Sequence, residues 1–88
     1  MYDNYPNPFN PETVIEYELP NAGSVRLEVY NMLGQKIRTL VNQNQVAGVH
    51  HVAWDGKNEF GEQMASGIYL YRMEMNEFKA TKRMLLIR

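Results

Sequence analysis

The chain has 88 residues, no cysteine, and 9 Lys and Arg against 10 Asp and Glu, for a net charge of −1. That length makes one small domain that buries only roughly 60% of its unfolded surface, and the missing cysteines exclude a disulfide framework, a thiolate metal site and a cysteine nucleophile. Near-zero, interspersed charge argues against a nucleic-acid surface or a polybasic membrane anchor; no apolar run approaches the ~18 residues of a transmembrane span, and an exported protein of this kind would carry its signal peptide upstream of Met1.

The first element in the chain is a lead-in, residues 1–12. Asn4 to Thr13 holds the prolines Pro6, Pro8 and Pro11, the asparagines Asn4, Asn7 and Asn10, and the aromatics Tyr5 and Phe9. Proline fixes φ and removes a backbone donor, and it pushes the residue before it toward extended geometry. Asparagine bonds nearby backbone groups and tolerates turn dihedrals. The segment is predicted to be a stiff, non-helical strap, with Tyr5 and Phe9 as apolar pegs pinning it to a core.

From Thr13 onward the hydrophobic rhythm is period two, the signature of half-buried strands. Ile15, Tyr17 and Leu19 alternate with Glu16 and Glu18; after the turn Pro20-Asn21-Ala22-Gly23, Val25, Leu27 and Val29 alternate with Arg26 and Glu28. Asn31 to Gly34 is predicted to close a hairpin, with Gly34 at positive φ. Lys36–Val41 reads as a third strand with poorer alternation, Asn42–Gly48 as a polar loop, and Val49–Asp55 as a strand with His50, Val52 and Trp54 on one face. Gly56–Ser66 is the longest connection. Gly67–Met75 is the clearest strand, with Tyr69, Tyr71, Met73 and Met75 alternating with Ile68, Leu70, Arg72 and Glu74. Asn76-Glu77 is short enough to turn into a final strand, Phe78–Ile87. No segment has the 3.6-residue period of an amphipathic helix. Short strands separated by turns predict an all-β, antiparallel sandwich of about seven strands over residues 13–88.

Several constellations invite a chemical reading. Asp55, Asn58 and Glu59 place oxygens around Gly56 and Gly61, as a calcium loop would, but no acid sits at the twelfth position of an EF-hand. A solvated loop is the better reading. His50 and His51 point to opposite faces of a strand and cannot readily share a metal; His50 is expected buried or at the rim of the core. Trp54, Tyr69, Tyr71, Tyr17, Tyr30 and Phe78 could build a sugar-stacking platform only if they faced solvent, and the phase of their strands points Trp54, Tyr69 and Tyr71 inward. Ser24 and Ser66 have no partnered His and Asp, and the scattered acids form no recognisable pair. The residues therefore point to a non-enzyme without a cofactor. The last strand stands apart: Lys79, Lys82 and Arg83 precede the apolar run Met84-Leu85-Leu86-Ile87. Such a run suits a central strand, or else an edge that invites strand addition, a receptor or a homodimer.

Tyr5-Pro6-Asn7-Pro8-Phe9-Asn10-Pro11 with Thr13 resembles the opening motif of the C-terminal sorting domain (type A) of type IX secretion substrates. Later landmarks are similar to that family in the same order: Val29-Tyr30-Asn31-Met32-Leu33-Gly34-Gln35-Lys36, Ala47 to Gly56 around Trp54-Asp55, Ser66-Gly67-Ile68-Tyr69-Leu70-Tyr71-Arg72-Met73, and Lys82 to Arg88. The resemblance implies an immunoglobulin-like sandwich of seven strands at the end of an exported cargo protein of a Gram-negative bacterium. Such a domain is not the activity. It is read in the periplasm by the outer-membrane translocon, then removed by a sortase-like protease as the cargo reaches the cell surface or the medium. The recognition-bearing positions it implies are Gly67, Tyr69, Tyr71, Met73, Lys82, Met84, Leu85 and Leu86, with Arg83 standing where the family commonly has lysine. The stretch from Trp54 to Tyr71 also resembles the immunoglobulin-like module of flagellar hook-capping proteins, which implies a structural part of a filament tip. A carbohydrate-binding accessory module of a glycosidase is the third expectation.

Overall fold

A computed structural model describes all 88 residues. It contains six strands and no helix: β1 (Thr13–Leu19), β2 (Gly23–Asn31), β3 (Lys36–Gln45), β4 (Gly48–Trp54), β5 (Gly67–Met75) and β6 (Phe78–Leu86). They form two antiparallel sheets, β1-β4 and β3-β2-β5-β6, stacked as a sandwich. No helix is long and apolar enough to cross a membrane.

The alternation read from the sequence becomes the core. Ile15, Tyr17 and Leu19 of β1 face Val25, Leu27 and Val29 of β2 and Tyr69, Tyr71, Met73 and Met75 of β5, all buried. β4 contributes Trp54, fully buried, whose ring meets Tyr69 edge-on at 5.3 Å and Phe9 at 5.7 Å. Edge-on aromatic packing of this kind adds to the area buried. β6 closes the core with Met84 and Leu86. The expected inward phase of Trp54, Tyr69 and Tyr71 is what the structure shows.

The predicted turns hold as well. Gly34 has φ 81° in the β2–β3 hairpin, where the Asn31 side chain accepts the Leu33 and Gln35 amides at 3.0 Å. Asn76 at φ 55° turns β5 into β6, a conformation asparagine adopts more readily than most residues.

Two expectations need correction. The polar loop drawn over Asn42–Gly48 is mostly strand, because β3 keeps pairing with β2 as far as Gly23↔Gln45. β3 is an outer strand of its sheet, so Asn42, Gln43 and Asn44 can face water without breaking the ladder. Register shifts at Leu27/Glu28 and Val29/Tyr30 also explain why its alternation is poor. The second concerns the lead-in. Phe9 is 1% exposed, as a peg should be, but the Tyr5 side chain is 53% exposed. Tyr5 is held by its backbone, which exchanges hydrogen bonds with Val14 at 3.0 and 2.8 Å.

Four tyrosines carry a pH prediction. Burial pushes the phenols of Tyr17, Tyr30, Tyr69 and Tyr71 above their ordinary value of 10.0. A group raised on folding adds stability that is complete below its unfolded value and disappears as pH climbs through the folded one. Alkaline unfolding is therefore expected above about pH 10, with the phenolates of these four side chains, resolved from the exposed Tyr2 and Tyr5 by NMR, forming together with the loss of near-UV circular dichroism. Phenolate formation at the four well below the unfolding transition would contradict it.

Candidate functional site

The lead-in and the last strand build one continuous surface. Residues 2–5 run antiparallel beside β1, with the Tyr2 amide on the Glu16 carbonyl at 3.0 Å and the Tyr5–Val14 bridge beyond it. The chain then crosses to the other sheet. The Phe9 amide donates to the Leu85 carbonyl and the Ile87 amide to the Phe9 carbonyl, both at 3.0 Å, and the Leu85 amide bonds the Asn7 side chain at 3.0 Å. Phe9 pairs with Leu86 in parallel. Lys82 holds Asp3 at 3.0 Å on the same side.

Beneath this surface lies a buried polar knot that sequence reasoning did not find. Asn4, 3% exposed, donates its side-chain amide to Thr13 Oγ1 at 3.0 Å and its backbone amide to the Tyr71 hydroxyl at 2.9 Å. The Tyr71 hydroxyl donates to the Tyr2 carbonyl at 3.0 Å, and Thr13 Oγ1 to the Pro6 carbonyl at 3.0 Å. Buried polar groups need such partners. The only signal in the sequence is a short polar side chain flanking each end of the proline run, too common a feature to single out.

The implied recognition positions divide sharply. Tyr69, Tyr71, Met73, Met84 and Leu86 are buried core residues. Gly67 opens β5 opposite Leu86. Leu85 is 37% exposed and Lys82 is half-buried at the edge beside Asp3. Of the apolar run, only Leu85 and Ile87 face outward. β6 is an outer strand of its sheet, the second of the two placements the sequence allowed, and at its end a single parallel bridge joins Leu86 to Phe9 of the strap.

The Asp55–Glu62 loop is organised by its own hydrogen bonds. Asp55 Oδ1 accepts from the Lys57 amide and from Arg38, both at 3.0 Å. Asn58 Oδ1 accepts the Phe60 and Glu62 amides at 2.9 Å. Glu59 turns away to the edge of β3, where its carboxylate takes the Thr39 amide. The structure thus points Asp55, Asn58 and Glu59 at different partners, and no three His, Asp or Glu side chains gather as metal ligands. Adding calcium or a chelator is expected to leave the melting temperature unchanged; a shift of several degrees would restore the ion site. The last residue, Arg88, clamps the same connection through the Met64 carbonyl at 2.6 Å, the Gly56 carbonyl at 2.7 Å and Ser66 Oγ at 2.8 Å.

Other candidates are not brought together. His50 stacks on Tyr17 at 5.5 Å and bonds the Val46 carbonyl at 2.8 Å, while His51 meets Glu16 at 2.9 Å. Tyr30 lies on the outer face under Arg72, and Phe78 is exposed at the β5–β6 turn, so the aromatics form no common platform. That outer face carries a charge network around Glu28. Burial works to raise its carboxyl, but the Tyr30 hydroxyl, Arg26, Lys36 and Thr39 together hold it below the ordinary value of 4.5.

Comparison with known proteins places this geometry. The chain superposes on PorU from Porphyromonas gingivalis with a TM-score of 0.76 at 18% identity, covering 97% of this chain and 9% of that one. PorZ from the same organism gives 0.68 at 17% identity, covering 98% and 11%. FlgD from P. aeruginosa gives 0.66 at 25% identity, covering 84% and 58%. The chain therefore spans less than two thirds of each of these proteins. No curated protein matches the sequence. The family described as the FlgD Ig-like domain matches residues 10–77. That is well over half of the chain, and strands β1 to β5 with the β4–β5 connection lie inside the match: the protein belongs to the FlgD Ig-like domain family.

Proposed function

We propose that this immunoglobulin-like domain is a non-catalytic sorting module, which directs an upstream cargo to the outer-membrane translocon of a type IX secretion system. One observation carries the reading. The two ends that fall outside the family match, residues 1–9 and 78–88, pack against each other as the surface described above. PorU and PorZ share the fold over 97% and 98% of the chain, ends included. PorZ is described as an essential bacterial surface component of the type-IX secretion system.

In this reading the sandwich is a rigid holder. Tyr69, Tyr71, Met73, Met84 and Leu86 fix the position of β6 from inside. The side chains of Lys82, Arg83, Leu85 and Ile87 are what the translocon meets, by apolar contact and charge orientation. The strap ties the cargo's end to that same surface. A sortase-like protease then removes the domain, and the cargo passes from the periplasm to the cell surface or the medium.

The family match itself favours a second reading, a structural module in a cap-like assembly. An export assay separates the two. The domain is fused behind a periplasm-targeted fluorescent reporter, in a type IX-competent strain and in one lacking the translocon. Reporter outside the cell only where the translocon is present is the expected result. Retention in both strains, with the domain folded, would sink the sorting reading. Leu85→Ser with Ile87→Ser should then reduce export while the domain stays folded, since both side chains already face water. Changing Met84 or Leu86 would be uninformative, because it would unfold the core.

A further inference from the structure

Hydrogen bonding along the open side of β6 stops halfway. Leu85 and Ile87 bond the strap there. Backbone groups alternate sides along a strand, so the residues in phase with Leu85, namely Lys79, Thr81 and Arg83, turn their N–H and C=O groups to the same side. No hydrogen bond outside the β5 ladder reaches those groups. All three residues are exposed. The free stretch is about 15 Å long at strand spacing, enough for a short extended segment.

The charge of this stretch says what it can take. From Lys79 to Arg83 there are three Lys and Arg and no Asp or Glu. Lys82 is paired with Asp3, but Lys79 and Arg83 make no ion pair. A second copy of this chain is a poor occupant, because antiparallel pairing of two β6 strands about Thr81 would set Lys79 opposite Arg83 of the other copy. Like charges directly opposite are destabilising.

We propose that the Lys79–Arg83 edge of β6 is a strand-addition site for an extended acidic segment of a partner protein. Main-chain bonds to Lys79, Thr81 and Arg83 supply the docking, and the two unpaired cations select against basic or self-pairing strands. The competing account is that these cations only guard an edge against aggregation, a common use of lysine. The proposal takes from the sorting reading only the identity of the partner.

The test follows backbone amides by NMR while the folded domain is titrated with a synthetic hexapeptide of alternating Thr and Glu, and separately with its Thr and Lys counterpart. The acidic peptide should shift the Lys79, Thr81 and Arg83 amides and slow their exchange; the basic one should not. Reversing both charges, Lys79→Glu with Arg83→Glu, should weaken binding about tenfold, as expected for two exposed ion pairs. Thr81→Pro removes an amide the β5 ladder does not use, and should abolish binding. If that variant fails to fold, the charge reversal alone decides. Silent amides at about millimolar acidic peptide, or equal response to both peptides, would overturn the proposal. A domain that binds the peptide but does not export a reporter keeps this site and loses the sorting reading. Export through a silent edge does the reverse.

Discussion

Replacing Phe9 by alanine is expected to cost about 3–5 kcal/mol of folding stability, the range for deleting a buried aromatic ring. A domain of this size has in all roughly 4–13 kcal/mol, so the melting temperature should fall by roughly 15–30 °C. Phe9 lies in a segment without regular secondary structure, yet it is 1% exposed, packs on Trp54 at 5.7 Å and pairs through its backbone with the end of β6. Removing the ring opens a cavity between the sheets where strap and last strand meet. Surrounding groups cannot easily collapse into it, because Trp54 is already wedged against Tyr69. The control is Tyr5→Ala, which keeps the backbone bonds to Val14 and removes a side chain that is 53% exposed. It should change stability by no more than about 0.5 kcal/mol. Thermal unfolding followed by near-UV circular dichroism measures both. If Phe9→Ala melted within a few degrees of the parent, the strap would be an appendage and not part of the core.

That contrast shows what the sequence could and could not convey. Inward positions on β1, β2 and β5 were legible because a strand with one wet face must alternate, and Ile15, Val25 or Tyr71 could be placed without any partner in view. The end of β3 was not legible. An outer strand whose side chains face water imposes no pattern, so Asn42, Gln43 and Asn44 look like a loop. The strap was half legible. Its prolines announced extended backbone, but which of Tyr5 and Phe9 enters the core depends on where the chain crosses between sheets. That crossing is fixed by contacts with Val14 and Leu86, far away in sequence. At the candidate surface, residue types marked β6 as unusual. Only the pairing scheme shows that Leu85 and Ile87 are engaged by the strap while Lys79, Thr81 and Arg83 are not.

Gly56→Ala is the second change with a large expected effect, about 2–5 kcal/mol, and it tests how the last residue holds the fold. Gly56 sits at φ 76°, where a side chain costs about 1–2 kcal/mol. A Cβ there would lie 2.6 Å from the Arg88 guanidinium and 3.1 Å from the Pro11 carbonyl. The guanidinium can swing away, but only by giving up its bonds to the Gly56 and Met64 carbonyls. The Pro11 carbonyl belongs to the strap's backbone and moves less cheaply, so the remaining cost is overpacking of roughly 1–3 kcal/mol. Arg88→Ala alone should lose about 1 kcal/mol, since its hydrogen bonds are charge-assisted but largely solvent-facing. The two changes should not add. With Arg88 already gone, Gly56→Ala has one clash fewer to relieve and no clamp left to break, and its cost should drop by about 0.5–2 kcal/mol. Urea unfolding of the parent, both single variants and the double variant gives that coupling directly. Additivity within experimental error would mean that left-handed strain and the Pro11 contact set the whole cost. The Arg88 clamp would then be a surface contact with no hold on the β4–β5 connection.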